Sequence, residues 1–376
     1  MKNLGIYIHI PFCIRKCNYC DFVSFGGSLL EDQIKYFNVL KKELEYYGKV
    51  YDKKFYVDTI FIGGGTPSLV NEALIAELMT AVRANFNIKN DAEITIESNP
   101  KTLSRNKLNT YLQTGINRLS IGVQSLNQNL LNYMGRVYEV NDVFKSYSLA
   151  RDCGFKNINM DLMFAVPNMD MIIWKDTLQK IIKLQPEHIS FYSLQLEEGT
   201  PFFRDFQEGN FKEIPDELDR QMYELALDFL ILYSYNHYEI SNAAKMGFEC
   251  KHNLKYWSLD NYLGIGLGAH SYINGIRFSN TKDFNLYNST DVPILEWQHK
   301  NSEEDDICEY IITGMRKIQG IDLYDFEQRF KKNIIDIYGE EIDKFIKGKL
   351  LKTENGKLRF TRQGINISNK ILAEFV

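Results

Sequence analysis

Short apolar runs alternate with longer amphipathic segments over the first half of the chain. Six runs rich in β-branched residues predict strands at residues 4–10, 57–62, 93–97, 118–122, 157–162 and 188–193. Between these runs, apolar residues recur at helical spacing, as in Leu74, Ile75, Leu78, Met79 and Val82. Alternating strands and helices are typical of βα units around a parallel sheet, so the pattern predicts an α/β fold.

The pattern changes after the sixth predicted strand. Residues 215–235 predict a helix that starts near Pro215, and a strand-like run follows at 238–241. Residues 243–300 are rich in glycine, asparagine and aromatic residues and carry no long helical pattern, whereas residues 302–376 predict helices, a small hairpin and a closing helix. We therefore divide the chain into a core domain at 1–235, an irregular segment at 236–300 and a C-terminal domain at 301–376.

Composition narrows the classes of function. At 376 residues with 44% hydrophobic side chains, the chain is long enough for a large core and a smaller second domain. A net charge of −5 argues against an extended nucleic-acid surface, which needs a surplus of Lys and Arg on one face. The start Met-Lys-Asn-Leu-Gly has no signal-peptide or transit-peptide pattern, and no apolar run has the roughly 18 residues that span a bilayer, so we expect a cytoplasmic protein.

Three cysteines directly follow the first predicted strand. Cys13, Cys17 and Cys20 have the spacing C-x3-C-x2-C. A disulfide framework would use an even number of cysteines, and a structural zinc site would need a fourth Cys or His nearby. Three thiolates can hold a four-iron cubane and leave one iron open for a substrate or cofactor. The spacing favours an iron–sulfur cluster, with a site for zinc or another metal and unliganded thiols as the alternatives.

Other polar motifs fall at the carboxyl ends of the predicted strands, where β/α folds place their chemistry. The second strand is followed by Gly-Gly-Gly-Thr-Pro at 63–67. Glycines let the backbone approach a ligand closely, although a strand-ending turn explains the run almost as well. Four further polar residues lie at or after later strands, and each one alone could be an ion pair or a strand cap: Glu97, Gln124, Arg136 and Asp161.

A cluster of His, Asn, Tyr and Trp occupies residues 252–257. His252 is followed by Asn253, and Tyr256 and Trp257 complete an H-N-x-x-Y-W pattern. The cluster could be an aromatic-rich structural loop. It also matches what haem requires, namely an axial ligand and flat apolar surfaces. The glycine-rich run at 264–268 lacks the last glycine and the preceding βαβ strand of a dinucleotide loop, so we reject that interpretation.

Taken together, the cysteine loop, the glycine run, the strand-end polar residues and the H-N-x-x-Y-W pattern resemble the radical S-adenosylmethionine (SAM) superfamily over nearly the whole chain. Within it they are most similar to the branch that contains oxygen-independent coproporphyrinogen III oxidase and its shorter haem-chaperone relatives. The resemblance implies an α/β fold, with a radical SAM partial (β/α)6 barrel and a smaller, mostly helical, winged-helix-like C-terminal domain.

The resemblance also implies cofactors and the residues that bind them. A 4Fe-4S cluster would be held by Cys13, Cys17 and Cys20, with SAM on its open iron. The implied SAM residues are Tyr7, Tyr19, Phe22, Gly64, Gly65, Thr66, Glu97, Gln124, Arg136 and Asp161. Among them, Glu97 and Asp161 suit the ribose and amino groups of SAM, Gln124 the ribose and Arg136 the carboxylate.

The implied haem ligand is His252, with Cys250 as a weaker alternative and His270 as either structural or functional. The implied function is haem trafficking, in which the protein binds haem and passes it to apo-haemoproteins. The alternative is an enzyme, an oxygen-independent coproporphyrinogen III dehydrogenase. A homodimer and peripheral membrane contact are left open, and no nucleic-acid partner is expected.

Three departures from the relatives bear on these expectations. The oxidase branch carries a further Cys soon after its third cluster cysteine, where this chain has Asp21 and Phe22, and it has a longer segment before its first strand. Both differences argue against decarboxylation of coproporphyrinogen. Relatives often have a His where this chain has Val137-Tyr138, so the role of Arg136 is carried over less firmly.

Overall fold

The polypeptide alternates strands and helices over the barrel core, from β4 to β8. The computed structural model describes residues 1–51 and 54–375. Its strands are β1 (Lys2–Ile10), β2 (Phe12–Cys13), β3 (Phe25–Gly26), β4 (Phe55–Gly64), β5 (Ile88–Ser98), β6 (Arg118–Gln124), β7 (Ile158–Phe164), β8 (His188–Ser193), β9 (Asn236–Glu239), β10 (Asn242–Ala244), β11 (Tyr262–Ile265), β12 (His270–Ile273), β13 (Ile276–Asn280), β14 (Leu295–Lys300), β15 (Ile321–Asp322), β16 (Leu351–Glu354) and β17 (Lys357–Phe360). Its α-helices are α1 (Leu30–Val50), α2 (Glu72–Asn85), α3 (Arg105–Gln113), α4 (Gln128–Tyr133), α5 (Val140–Cys153), α6 (Met171–Leu184), α7 (Pro201–Gln207), α8 (Asp216–Leu232), α9 (Lys251–Trp257), α10 (Phe284–Tyr287), α11 (Glu303–Gly314), α12 (Leu323–Phe330), α13 (Ile334–Lys347), α14 (Arg362–Ile365) and α15 (Ser368–Leu372).

The six predicted strands are confirmed as the parallel core of one large sheet. They are β1, β4, β5, β6, β7 and β8, which pair in that order. Along each strand, apolar side chains pack outward against helices and polar ones point inward, as Ile94 and Ile96 alternate with Glu93, Thr95 and Glu97. The crossover helices cover the outside, so the predicted partial (β/α)6 barrel is confirmed.

The sheet continues beyond those six strands on both sides. In the described residues its full order is β14-β13-β12-β11-β1-β4-β5-β6-β7-β8-β10-β9. The prediction of an irregular segment at 236–300 is corrected in this respect, because β9 to β14 all lie there. These strands have only three to six residues, so they leave too short a pattern to be recognised in the sequence.

Helix α9 lies inside the barrel, toward the amino ends of the strands. A Cβ atom on Gly5 in β1 would come within 2.9 Å of Lys255 and 3.2 Å of His252, both of which belong to α9. The same ring of His252 contacts Thr59 in β4. The amino ends of the strands form the floor of a β/α barrel, so α9 closes the barrel interior at that floor.

The C-terminal region has its own hydrophobic core. Residues from α11, α12 and α13 pack with the three-stranded sheet β15-β17-β16, and the core includes Ile311, Phe326 and Phe345. Helices followed by a hairpin and closing helices confirm the expected winged-helix-like arrangement. In the described parts of the chain, no helix combines the length and apolar character needed to cross a bilayer.

Candidate functional site

A two-residue parallel ladder closes the cysteine loop. Strand β2 pairs with β3, which places Cys13 opposite Gly26, and the N–H of Gly27 donates to the carbonyl of Cys13 at 3.2 Å. The N–H of Cys20 donates to the carbonyl of Cys17 at 3.2 Å. All three thiols are half-buried and free of disulfides. The loop therefore presents three unpaired thiols at the carboxyl end of β1.

Asn18 anchors the middle of this loop to the barrel. Its side-chain amide donates to the carbonyl of Tyr133 at 2.7 Å, and its backbone N–H donates to Met134 at 3.0 Å. Its own carbonyl accepts from the N–H of Phe202 at 2.9 Å. Sequence reasoning missed this residue, because the asparagine between two cysteines has no pattern that reveals distant partners.

The glycine run after β4 packs directly on the cysteine loop. The N–H of Gly65 donates to Ile10 at 2.8 Å, and that of Thr66 donates to Phe12 at 2.8 Å. A Cβ atom on Gly65 would lie 2.8 Å from the carbonyl oxygen of Phe12, so only glycine permits this approach. The hydroxyl of Thr66 lies 3.6 Å from the Cys13 sulfur. The structure thus places the glycine run beside the thiols.

Arg136 lies on the other side of the thiols. Its Nη1 donates to the Cys17 sulfur at 3.2 Å and to the Tyr19 hydroxyl at 3.4 Å. Its Nη2 donates to the carbonyl of Gly122 at 3.0 Å and to the side chain of Asn99. The predicted SAM residues Arg136 and Tyr19 are therefore brought together with a predicted cluster ligand.

Three polar side chains converge around Gly122, which has no Cβ atom. A Cβ atom there would lie 2.8 Å from Asn99 Oδ1, 3.1 Å from Gln124 Nε2 and 3.3 Å from Arg136 Nη2. Two amides and a guanidinium at one point suit a ligand with carboxylate and hydroxyl groups, which SAM has. Asn99 was not predicted, although it belongs to the Glu-Ser-Asn-Pro motif that ends β5.

A cavity of about 200 Å³ lies inside the barrel, next to these residues. It is lined by most of the remaining predicted residues, namely Tyr7, Phe22, Gly64, Glu97, Asp161 and His252. Strand ends that are far apart in sequence thus meet at one space, as expected for a parallel barrel. The cavity is large enough for part of a cofactor-sized ligand.

Two carboxyl groups give the cavity an acidic side. Glu97 accepts from the N–H of Gly64 at 3.0 Å, and burial together with the charge of Asp161 raises the pKa of Glu97 to about 8. Asp161 accepts from the Ser120 hydroxyl at 3.0 Å and from Asn159 at 2.7 Å, and burial raises its pKa too. Carboxyl groups held in this way are suited to a cationic ligand or to ribose hydroxyls.

Tyr7 connects the cavity to the cysteine loop through His9. His9 Nε2 lies 2.7 Å from the carbonyl of Val23 and must donate to it, so Nδ1 accepts from the Tyr7 hydroxyl at 2.9 Å. The Tyr7 ring stacks on Phe61 with centroids 6.4 Å apart. Burial lowers the pKa of His9, so the imidazole between Tyr7 and Val23 stays neutral.

His252 lies on the floor of the cavity rather than at the surface. Its Nδ1 is 2.8 Å from the Thr59 hydroxyl, and its Nε2 is 2.9 Å from the Tyr256 hydroxyl. The side chain is 1% exposed, and burial, followed by the charge of Lys255, lowers its pKa to about 3. Both ring nitrogens of this neutral imidazole are engaged, so iron ligation requires one hydrogen bond to be released.

Glu93 holds α9 in place. It accepts from the backbone N–H groups of Lys251 and His252, each at 3.2 Å, and from the Cys250 thiol at 3.6 Å. Burial raises the pKa of Cys250 to about 12, so the thiol is protonated and donates. His270, by contrast, is exposed, with its ring 6.0 Å from that of Trp297.

The donor set fits a cubane better than a single metal ion. Across residues 1–51 and 54–375, no three His, Cys, Asp or Glu side chains converge as ligands of one ion. A cubane spreads its iron atoms over separate corners, so its three thiolates lie farther apart than the ligands of zinc. Burial raises the pKa of Cys13, and that of Cys20 to about 11, so cluster assembly there would release protons.

Comparison with known proteins agrees with this geometry. Residues 7–181 match the radical SAM superfamily, and residues 301–367 match the HemN C-terminal domain. The first match spans the cysteine loop and the strand ends described above, whereas the second spans the winged-helix-like region.

The similarity to individual proteins extends over the full chain. The heme chaperone HemW of Lactococcus lactis is 34% identical over 383 residues, covering 100% of this chain and 98% of that protein. HemW of Bacillus subtilis is 34% identical over 379 residues, covering 98% of each. The structure of coproporphyrinogen III oxidase (HemN) from Escherichia coli superposes with a TM-score of 0.87 at 22% identity, covering 100% of this chain and 90% of that one.

Proposed function

The chain belongs to the radical SAM superfamily and to its HemW haem-chaperone family, and from this membership we propose that it binds haem and transfers it to apo-haemoproteins. The observation that carries the proposal is the similarity to HemW chaperones, which covers the whole chain at 34% identity. The fold alone would not decide, because the same fold is found in HemN.

The radical SAM domain implies a 4Fe-4S cluster and SAM. We assign the cluster to Cys13, Cys17 and Cys20, whose thiols share one loop. When bound there, a cluster supplies a redox-active open iron for the amino and carboxylate groups of SAM. Arg136 is placed to orient a carboxylate beside Cys17. The other proposed SAM residues are Tyr7, Tyr19, Phe22, Gly64, Gly65, Thr66, Glu97, Gln124 and Asp161.

We retain His252 as the proposed haem ligand. Its hydrogen bonds and its burial set two requirements for iron ligation. Ligation through Nε2 requires the Tyr256 hydroxyl to move away, since the two atoms are 2.9 Å apart. Ligation also requires α9 to open toward solvent, because the imidazole is buried. Haem loading would therefore be coupled to displacement of the floor helix. His270, exposed beside Trp297, is the accessible alternative.

An anaerobic haem titration followed by the Soret band tests this assignment. The protein carries its reconstituted cluster, and the variants are His252→Ala and His270→Ala. Saturable binding in the wild type that is lost only in His252→Ala supports the assignment. Loss only in His270→Ala moves the ligand to the surface site. Absence of saturable binding in the wild type contradicts the chaperone function itself.

Tyr256→Phe separates ligation from a packing effect. This variant keeps the aromatic ring and removes the hydroxyl bound to His252 Nε2. If Nε2 binds iron, haem affinity stays the same or becomes several-fold tighter, because no hydrogen bond has to be broken. If His252→Ala acted only by loosening the floor, Tyr256→Phe weakens haem binding as well.

The HemN fold favours one second candidate, oxidative decarboxylation of coproporphyrinogen III. The chain has Asp21 and Phe22 where that branch is expected to carry a further cysteine. An anaerobic assay with coproporphyrinogen III and SAM decides between the two. Catalytic formation of protoporphyrinogen supports the enzyme, and its absence in a cluster-loaded protein that binds haem supports the chaperone.

We further propose that the protein acts in the cytoplasm and delivers haem to acceptors whose identity is open. A homodimer and transient contact with a membrane surface are both compatible with such delivery. Sedimentation of the cluster-loaded protein, alone and with anionic vesicles, measures both associations directly.

A further inference from the structure

Arg118 is a buried cation whose Nε lacks a hydrogen-bond partner among residues 1–51 and 54–375. It begins β6 and points into the barrel, where it lines the 200 Å³ cavity. The residue is 1% exposed, and its Nε has no hydrogen-bond partner in the described part of the chain. Buried guanidinium groups are normally satisfied by several acceptors, since their desolvation is costly. The cavity beside Arg118 therefore lacks an acceptor that the side chain requires.

The acidic groups near Arg118 are already used by other donors. Glu93 accepts from the amino end of α9, and Asp161 accepts from Ser120 and Asn159. They act on Arg118 through charge: burial alone would lower its pKa, but the carboxylates of Glu93 and Asp161 raise it. The guanidinium thus remains charged, and its Nε donates to no acceptor in the part of the chain that the structure describes.

Arg118 is also remote from the site assigned to the amino-acid part of SAM. Arg136, beside Cys17, lies near the carboxyl end of β6, which Gln124 terminates. Arg118 and Gln124 are six residues apart, about 20 Å along an extended strand. The two arginines therefore serve opposite ends of the interior, and Arg136 already accounts for the carboxylate expected near the thiols.

The size of the cavity limits what can reach Arg118. A volume of about 200 Å³ equals the space of roughly seven water molecules. That volume cannot hold a whole porphyrin, but it can hold a small organic acid or one propionate arm. A planar guanidinium matches a carboxylate with two parallel hydrogen bonds.

We propose that Arg118 binds the carboxylate of a ligand that enters the barrel cavity between the strand-end pocket and α9. The carboxylate has two sources that share this chemistry, a small free carboxylic acid and a propionate arm of haem. The second source rests on the proposed haem-binding function, and the first is independent of it. Arg118 is in either case a ligand-binding residue at the inner end of the cavity.

The first experiment measures stabilisation by sodium propionate. Thermal unfolding of the cluster-reconstituted, SAM-loaded chain is followed with propionate and with sodium chloride at equal ionic strength. In the wild type we expect propionate to raise the unfolding temperature by several degrees in a saturable way. Arg118→Met should show no rise beyond that with chloride. In Arg118→Lys the unfolding temperature should depend at least tenfold more weakly on propionate concentration. Arg151→Met, which removes an arginine paired with Glu187 elsewhere, keeps the rise and serves as the control.

The second experiment distinguishes the two sources. Haem and haem dimethyl ester are titrated into the wild type and Arg118→Met. If a propionate arm occupies the site, the variant binds haem at least tenfold more weakly, and the ester binds both proteins equally. If a free acid occupies it, both proteins bind haem equally while the propionate effect is lost in the variant.

Two outcomes overturn the proposal. One is a wild type that propionate does not stabilise beyond chloride and that binds haem as Arg118→Met does. The other is loss of SAM binding in Arg118→Met without any propionate effect in the wild type, which would make Arg118 a partner of SAM. Should Arg118→Met fail to fold, the wild-type saturation curve and Arg118→Lys still decide. Failure of haem binding with propionate stabilisation intact would refute the chaperone and leave the carboxylate site standing.

Discussion

The two ends of the barrel contrast in how their polar groups are satisfied. At the carboxyl end, the three cysteine thiols are half-buried and free of disulfides, and three polar side chains converge around Gly122. At the amino end, the imidazole of His252 is buried with both nitrogens bonded, and Glu93 is saturated by α9. The carboxyl end presents thiols and polar side chains to ligands. At the amino end His252 and Glu93 are bonded within the protein, and in the described residues Arg118 keeps an Nε without a partner.

This contrast separates two motifs that look equally functional in sequence. The cysteine spacing predicts a site by its chemistry, and the structure leaves those thiols accessible. The H-N-x-x-Y-W motif predicts a haem site by residue type, yet its imidazole is engaged in the floor of the barrel. A ligand role for His252 therefore demands a conformational change, and a ligand role for the thiols does not.

Removing one cysteine should have the largest effect at the open end. Cys17→Ala leaves two thiolates, which cannot hold a cubane in the same way, so we expect loss of the cluster absorbance and of bound iron. The matched control is Cys153→Ala, a half-buried cysteine at the end of α5, which should retain both. Iron retained at the wild-type level in Cys17→Ala would contradict the assignment.

Glu93→Ala should have the largest effect at the closed end. It leaves the first N–H groups of α9 and the Cys250 thiol without their acceptor, so we expect the free energy of unfolding to fall by about 2 kcal/mol. Urea unfolding of the cluster-free protein measures the change. Asp91→Ala, on the exposed start of β5, should stay within about 0.5 kcal/mol of the wild type.

The iron content of reconstituted Glu93→Ala tests whether the two ends of the barrel are independent. If the two ends are independent, Glu93→Ala reconstitutes the same amount of iron as the wild type. Equal stability of Glu93→Ala and Asp91→Ala would mean that α9 is not held by this carboxylate.

The core of the fold was predictable because the periodic placement of apolar residues that specifies its strands and helices is local and repeated. Positions such as Ile94 and Ile96 alternate with polar ones along β5, and α2 buries Leu74 and Leu78 at helical spacing. The added strands β9 to β14 were not predictable, because each is too short to show a period. Their pairing is decided by distant partners, as when β11 pairs with β1 across more than two hundred residues.

The site was predictable to the extent that it lies at strand ends. The cysteines, Glu97 and Asp161 follow or end predicted strands, and the structure brings them to one side of the barrel. The burial of His252 was not predictable, because Glu93 lies 159 residues away in sequence. Arg118 was also missed, because only the barrel shows that the first residue of β6 points inward.

The acidic side of the open end should make SAM binding depend on pH. Glu97 has a pKa raised to about 8, so it is protonated at neutral pH until a cationic ligand favours its charged form. We expect SAM affinity to rise up to tenfold per pH unit below pH 8 and to level off above it. The affinity of Glu97→Gln, measured by equilibrium dialysis, should change less over the same range. Parallel profiles for the two proteins would exclude Glu97 as the titrating group.

A buried histidine near the closed end should give a pH dependence in the same direction, seen in stability rather than in SAM binding, and a smaller one. His188 on β8 is fully buried, with Nδ1 2.6 Å from Asn159 and Nε2 2.7 Å from the Tyr238 hydroxyl. Burial, followed by the charge of Arg118, lowers its pKa well below the ordinary value, so the unfolded chain binds a proton that the folded chain does not.

Stability from His188 is therefore complete above its unfolded pKa of about 6.5 and is lost as the pH falls. One such group contributes a loss of about 0.7 kcal/mol between pH 7 and pH 6. Urea unfolding of His188→Gln at both pH values should show a pH dependence smaller by this amount than the wild type, whatever the absolute stability of the variant. Identical pH dependence would mean that the floor opens enough to protonate His188 in the folded state, and the contrast between a closed and an open end would then fail.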